Sequence, residues 1–259
     1  MLLALNIGNS NITFGGLAPD GKLIFSSRLY ADSALSSDEL TYKIINMLDL
    51  YGTSPMDIEA VILASVVPAL TPRLREALQK MTQASIMEVG PGLKSGVRIR
   101  MDNPAQLGGE LLCAVVGALR RHKPPLLVLN MDTATTLLAV DAEGSLVGGS
   151  ILPGPQLSLS ALVRNTAQLP QVELEQSPRR LLGSNTADCL HSGIVLGTAA
   201  MLDAMLNKCR DAMHAPEACV VATGTFPESI RRACEVEIEY HDTLILDGLY
   251  AIWHRNARR

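Results

Sequence analysis

Two stretches of this sequence read alike. "LALNIGNSNITFGG" and "LVLNMDTATTLLAV" each run from an apolar strand into Leu-Asn, through a turn of small and polar residues, into a second apolar strand. Asn6 and Asn130 head the two turns and stand 124 residues apart, close to half of the 259-residue chain. Similarity at that distance predicts two related domains, each offering a polar hairpin to one ligand across a shared cleft. Two ordinary hairpins would also fit, because Asn and Gly are common in turns. The turn Gly8, Asn9, Ser10, Asn11 carries backbone N–H groups and short polar side chains that suit a phosphate. A phosphate site that uses a metal wants a carboxylate where the first strand ends, and Asn6 is neutral.

Between the hairpins, strands and helices alternate, which predicts an α/β architecture with mixed sheets. "SSDELTYKIINMLDLYG" opens on a capping-box pattern, Ser36 to Glu39. It continues with Leu40, Ile44, Met47, Leu48 and Tyr51 on one helical face, and Gly52 is its stop. "AVILASVV" is a buried-strand run. "TPRLREALQKM" predicts a helix with Thr71 as N-cap and Pro72 at its first position, and "NPAQLGGELLCAVVGALRRH" repeats that start with Asn103 and Pro104. "EACVVATG" reads as a further short strand.

Composition narrows the function classes. A chain with 47% hydrophobic and 19% charged residues is globular, and a net charge of −4 with a pI near 5.7 argues against nucleic acid as a partner. Basic residues cluster only at Arg231-Arg232 and in the tail from Arg255 to Arg259, which reads as a solvated end. The five cysteines form no CxxC pair and sit in apolar surroundings, so they read as reduced, buried thiols of a cytoplasmic protein. The five histidines are scattered, which argues against imidazole metal ligation. The apolar start lacks a basic region and reaches Asn6 at once, unlike a signal peptide. The helix expected from Ala187 to His214 is interrupted by Asp188, His191, Asp203, Lys208 and Arg210, so no membrane span is expected; Gly193 and Gly197 in it read as close-packing positions.

Further stretches, "VGPGLKSGVRIRMDNPAQLGGELL", "GGSILPG", "LLGSNTADCLHSGIVLG", "VVATGTF" and "DTLILDGL", occur in an order that resembles type III pantothenate kinases. These bacterial enzymes belong to a superfamily with acetate kinases, sugar kinases, heat-shock chaperones and actin. The resemblance runs from Leu2 to about Trp253. It implies two ribonuclease-H-like (actin-like ATPase) domains with mixed sheets flanked by helices, set here at residues 1–118 and 119–259. The second would carry the dimer interface. It also implies ATP with Mg²⁺, pantothenate bound near that interface, and a monovalent cation, K⁺ or NH4⁺.

Carried over position by position, the resemblance breaks at the charged residues. The family pattern Asp-x-Gly-Asn-Thr stands here as Asn6, Ile7, Gly8, Asn9, Ser10. The family's Gly-Ala-Asp-Arg, which supplies a catalytic base and a substrate-holding arginine, stands as Gly108, Gly109, Glu110, Leu111. Glu110 keeps a carboxylate one methylene further out, whereas Leu111 offers no donor. Asp-x-Gly-Thr-Ala-Thr-Thr stands as Asn130 to Thr136, with Asp132 where the family has glycine. A side chain there would be costly if that glycine has positive φ, and its carboxylate would repel phosphates unless it replaces the lost metal ligand. The expected phosphate and ATP contacts are Gly8, Asn9, Ser10, Asn11, Thr133, Thr135 and Gly224, and the expected substrate contacts are Gly108, Gly109 and Thr186. Asp132 is the candidate metal ligand, with Asn6 and Asn130 at the positions of lost aspartates. Three functions follow: an impaired subunit paired with an active kinase of the family, an active pantothenate kinase using Glu110 as base, or a non-enzymatic sensor or transcriptional accessory factor.

Overall fold

Both hairpins form, and each seeds its own sheet in the computed structural model, which describes residues 1–257. Arg258 and Arg259 of the basic tail lie outside the described residues. The chain divides into two units. The first takes residues 1–97, 102–121 and the segment from Thr243; the second takes 98–101 and 122–242.

In the first unit, β1 (Leu2–Ile7), β2 (Asn11–Leu17) and β3 (Leu23–Tyr30) form an antiparallel meander, and β4 (Ala60–Ser65) and β5 (Ser85–Glu88) continue in parallel from β1. The order is β3-β2-β1-β4-β5. β1 is buried on both faces, as its unbroken apolar run requires once it lies between two strands. Leu3, Leu5, Ile7, Val61 and Leu63 form one core with α1 (Ser37–Leu50) and α2 (Thr71–Met81). Each such side chain contributes about 1.5–3 kcal/mol on burial. The capping box is present: Ser36 accepts from the Glu39 N–H, and the Glu39 carboxylate accepts from the Ser36 N–H. Leu40, Ile44 and Leu48 are buried, Tyr51 stacks on Phe25 with ring centroids 4.8 Å apart, and Gly52 follows at φ +65°.

α3 (Gly109–Arg121) and α7 (Leu244–Asn256) pack together, with α7 also against β1, β2 and β4. Glycine makes this crossing possible. A Cβ on Gly248 would lie 1.9 Å from the Cys113 carbonyl oxygen, and one on Gly117 would lie 2.1 Å from that of Leu244. No larger residue fits between backbones so close.

The second unit repeats the plan. β7 (Leu126–Met131), β8 (Ala134–Val140) and β9 (Ser145–Pro153) are antiparallel, while β10 (Cys219–Gly224) and β11 (Glu239–Tyr240) run parallel from β7. β6 (Arg98–Ile99) pairs with β9, giving the order β11-β10-β7-β8-β9-β6. One face of this sheet is covered by a core drawn from α4 (Pro155–Arg164), α5 (Thr186–Ala212) and α6 (Glu228–Ala233). α5 is long and apolar enough to cross a membrane by length and composition, despite its charged residues. Its Leu190, Ile194, Val195, Leu202 and Leu206 instead belong to the core of this unit.

Several expectations change. The division falls at 121/122 rather than 118/119, and the C-terminal helix joins the first unit because it packs on α3 and β1. Thr71 is the first residue of α2, not its cap: its hydroxyl donates to the Val67 carbonyl (2.9 Å). Pro104 opens a short 3₁₀ turn (Pro104–Gln106), and α3 starts only at Gly109. A Cβ at Gly193 or Gly197 would meet nothing within 4 Å, so neither glycine mediates close packing within the chain. Cys113 is buried as expected, but Cys189 is exposed.

Candidate active site

The first hairpin places Asn6 at the carboxyl end of β1, paired with Thr13 of β2 and Ala64 of β4. Asn6 is 5% exposed, and its side-chain oxygen has no hydrogen-bond partner among the described residues. A buried acceptor without a partner costs about 1–3 kcal/mol, so this amide is held there against its own solvation. The Gly8 N–H donates to the Asn11 carbonyl (2.9 Å). Gly8 is therefore buried inside the hairpin closure, and the accessible polar groups are those of Asn9, Ser10 and Asn11.

Gly109 lies against Ala64, the β4 residue paired with Asn6, so the start of α3 is brought to the carboxyl ends of β1 and β4. That end is where open α/β sheets bind ligands. Glu110 stands in the first turn of α3, where the helix dipole favours a carboxylate, and is 7% exposed. Burial pushes the Cys113 thiol far up from its ordinary range, and the nearby Glu110 carboxylate adds to the shift. Leu111 beside it is half-buried. Gly108 and Gly109 have ordinary space around them, with nearest contacts to an added Cβ at 3.4 Å.

In the second unit Asn130 ends β7 in the equivalent place, pairing with Thr136 and with Thr223 of β10, and is 4% exposed. The turn is tight: the Asp132 N–H donates to the Ala134 carbonyl (3.0 Å), and the Gly154 N–H donates to the Thr133 carbonyl (3.0 Å). Gly154, which ends "GGSILPG", backs this turn so closely that a Cβ there would lie 2.1 Å from the Asp132 carbonyl oxygen. Gly224 has φ +92°, and a Cβ on it would lie 2.2 Å from the Met131 carbonyl oxygen and 2.8 Å from the Asn130 amide oxygen. The Tyr240 hydroxyl donates to the Gly224 carbonyl (2.7 Å) and holds it in place. Asn130, Asp132, Thr133 and Gly224 are thus gathered at one sheet end, with Gly154 as a member that the sequence reading did not single out.

Two expectations about this turn change. The only non-glycine residue with positive φ among the described residues is His214, and Gly8 is not among the positive-φ glycines. Asp132 therefore carries no left-handed strain, and its half-buried carboxylate is the one acidic group of the turn. Thr135 is fully buried, and its hydroxyl has no partner among the described residues, so it does not reach the turn surface as a phosphate contact would. Thr186 is exposed as the first residue of α5, next to Asn185, whose side chain accepts from the Asp188 N–H (2.9 Å) and caps the helix.

Two sheets that share a five-strand order, the second with β6 added at its edge, each with a polar hairpin at the carboxyl end of its central strand, β1 or β7, define the class: the actin-like ATPase and sugar-kinase fold. Solved structures agree. A Baf-family transcriptional activator from Campylobacter jejuni is 19% identical over 99% of this chain and 100% of its own, with a TM-score of 0.60. A 2-dehydro-3-deoxygalactonokinase from Sinorhizobium meliloti is 11% identical over 98% of each chain, also at 0.60. An activator of 2-hydroxyisocaproyl-CoA dehydratase from Clostridium difficile, solved with bound ADPNP, is 12% identical over 97% of this chain and 92% of its own, at 0.55. At these identities the likeness is one of fold. The family model for type III pantothenate kinase matches residues 2–208, and the chain belongs to that family.

Proposed function

We propose that this chain is a type III pantothenate kinase homologue that binds ATP yet transfers phosphate to pantothenate weakly or not at all by itself, and that it works as the partner of an active family member. The observation that carries the reading is the pair of nearly buried neutral amides, Asn6 and Asn130, at the same strand end in each unit. Phosphoryl transfer depends on positioning and on neutralising developing charge. The family implies ATP and a divalent metal. The polar hairpin tips suit phosphate oxygens, which backbone and hydroxyl donors hold without a carboxylate. The donor set does not suit Mg²⁺ equally well, because Asp132 is the only carboxylate at either hairpin. The monovalent cation rests on the family pattern alone.

Glu110, held at the start of α3, is the residue suited to accept the proton of the pantothenate hydroxyl. Leu111 beside it gives an anionic substrate neither charge nor hydrogen bond. Gly108, Gly109 and Thr186 remain its proposed substrate contacts, and dimerisation through the second unit remains part of the reading. Removing one charge-stabilising donor from such a site costs on the order of 10²–10³ in rate, and losses that act as a unit need not multiply.

The test is phosphate transfer from labelled ATP to pantothenate, by this chain alone and mixed with an active family member. Activity only in the mixture is the expected result, with partial activity of the chain alone after Asn6→Asp combined with Leu111→Arg. Turnover by the chain alone in the common enzyme range, roughly 1–10³ s⁻¹, would overturn the reading and make Glu110 and Asp132 working catalytic groups. Neither shared nor restored activity would favour a ligand sensor or transcriptional accessory role, which the fold likeness to the Baf-family activator also accommodates.

A further inference from the structure

His122 and His241 are 119 residues apart in sequence, yet their Nε2 atoms lie 3.4 Å from each other. The Oε2 atom of Glu239 lies 3.7 Å from the first and 3.9 Å from the second. All three residues belong to the second unit. Their backbones are anchored: Glu239 pairs with Val221 in the sheet, and the His241 N–H donates to the Ala222 carbonyl (2.8 Å). Residues two apart on an extended segment point to the same face, which brings the Glu239 and His241 side chains together.

We propose that His122, Glu239 and His241 form a binding site for a divalent metal ion of the zinc class, separate from the phosphate turns. The three distances make the case. A point equidistant from three atoms with these separations lies about 2.1 Å from each of them, which is the usual zinc-to-nitrogen and zinc-to-oxygen bond length. Two ligands about 2.0–2.1 Å from a tetrahedral centre stand roughly 3.3–3.4 Å apart, as the two imidazole nitrogens do. The imidazole nitrogens already stand at a tetrahedral separation, and the exposed Glu239 carboxylate, now 3.7 and 3.9 Å from them, closes on a tetrahedral ion by a movement of only a few tenths of an ångström, roughly 0.3–0.5 Å. Two imidazoles and one carboxylate are a donor set for zinc and its neighbours in the first transition series, not for Mg²⁺ or Ca²⁺, which prefer oxygen throughout. The imidazoles are partly buried and Glu239 is half exposed, so an ion and a completing water can enter from solvent.

The location gives the ion a structural role. His122 is the first residue of the long stretch of the second unit, 122–242, and His241 lies one residue before its end. One ion held by both would tie the two ends of that stretch to each other and to β11, the strand at the sheet edge. This inference does not depend on the kinase reading.

The test uses the full chain freed of metal with a chelator, titrated with Zn²⁺ by calorimetry and with Co²⁺ by visible absorption. One equivalent of either ion should bind at micromolar concentration, with the intense Co²⁺ bands of a tetrahedral site. His122→Ala and His241→Ala should each weaken binding by more than about 100-fold, since even loss of a group that only orients a ligand costs about 10–100-fold. Glu239→Gln, at an exposed carboxylate, keeps the test decisive if a histidine variant folds poorly; it should weaken binding as well. Cys189→Ser should leave binding unchanged and so excludes capture by the exposed thiol. No uptake of either ion by the wild-type chain, or uptake unaltered in a folded ligand variant, would overturn the proposal.

Discussion

Restoring the family's aspartate at position 6 should destabilise the free protein. The Asn6 side chain sits at the end of a strand buried on both faces, and no donor among the described residues reaches its oxygen. A carboxylate there loses most of its hydration, which disfavours the charged form. Burial can raise an aspartate pKa by up to 3–5, and a moderate rise of about 2, from about 3.9 to about 6, is the working figure here. At pH 7 that rise corresponds to about 2.7 kcal/mol of lost stability. For a chain of this size the loss lowers Tm by about 5–10 °C. Because the folded-state pKa of this acid is raised, the penalty is complete above about pH 6 and vanishes below about pH 4, where both states bind the proton. Thermal melts of wild type and Asn6→Asp, followed by circular dichroism from pH 4 to pH 8, measure it directly. Two curves that separate as pH rises are the expected result. Equal Tm values across that range would refute the argument, since they would mean that position 6 is as well solvated as the surface.

Gly248→Ala should lower Tm by roughly 2–10 °C, because its methyl group would meet the Cys113 carbonyl and overpack the α3–α7 crossing. Gly193→Ala, facing open space in a helix, should instead be neutral or stabilising by up to about 1 kcal/mol, and the paired melts separate crossing from propensity. Among the cysteines, exposed Cys189 should react with a thiol reagent in the native protein. Cys234, half-buried and with a thiol that burial and then Asp203 push up to about 12, should react more slowly, and fully buried Cys113, raised further, only on unfolding; peptide mass spectrometry reads the order.

Local chemistry was the part most legible in the sequence. Ser36 and Glu39 form the capping box that their spacing announces, and the two Leu-Asn turns close the hairpins that their alternation predicts, because both depend on residues a few positions apart. Pro104 opens a 3₁₀ turn where the pattern predicts an α-helix, since the fixed φ of proline suits both. The C-terminal helix is apolar by inspection, but nothing in that pattern says which sheet it covers; the answer lies in the contact between Gly248 and Cys113. Asn6 and Asn130 are found at strand ends as their motifs suggest, whereas Glu110 stands in a first helical turn only because α3 begins at Gly109 and not at Pro104. The depth of Thr135 and the buried closure at Gly8 depend on the register of the completed sheet. His122 and His241 are scattered in the sequence, and the pairing of β7, β10 and β11 brings them together.

The route of the chain also bears on how the protein is made. The first unit is left at Arg121 and resumed only at Thr243, whereas the second is one stretch apart from the short strand at residues 98–101. Domains usually complete in the order in which they leave the ribosome. Here β1 to β5 and α3 emerge first but wait for α7, whose Gly248 closes the face around Cys113, while residues 122–242 are all translated before that helix is. The unit that begins the chain is therefore the last to be finished, and during synthesis its α3 surface stands uncovered for as long as the ribosome takes to build the other unit.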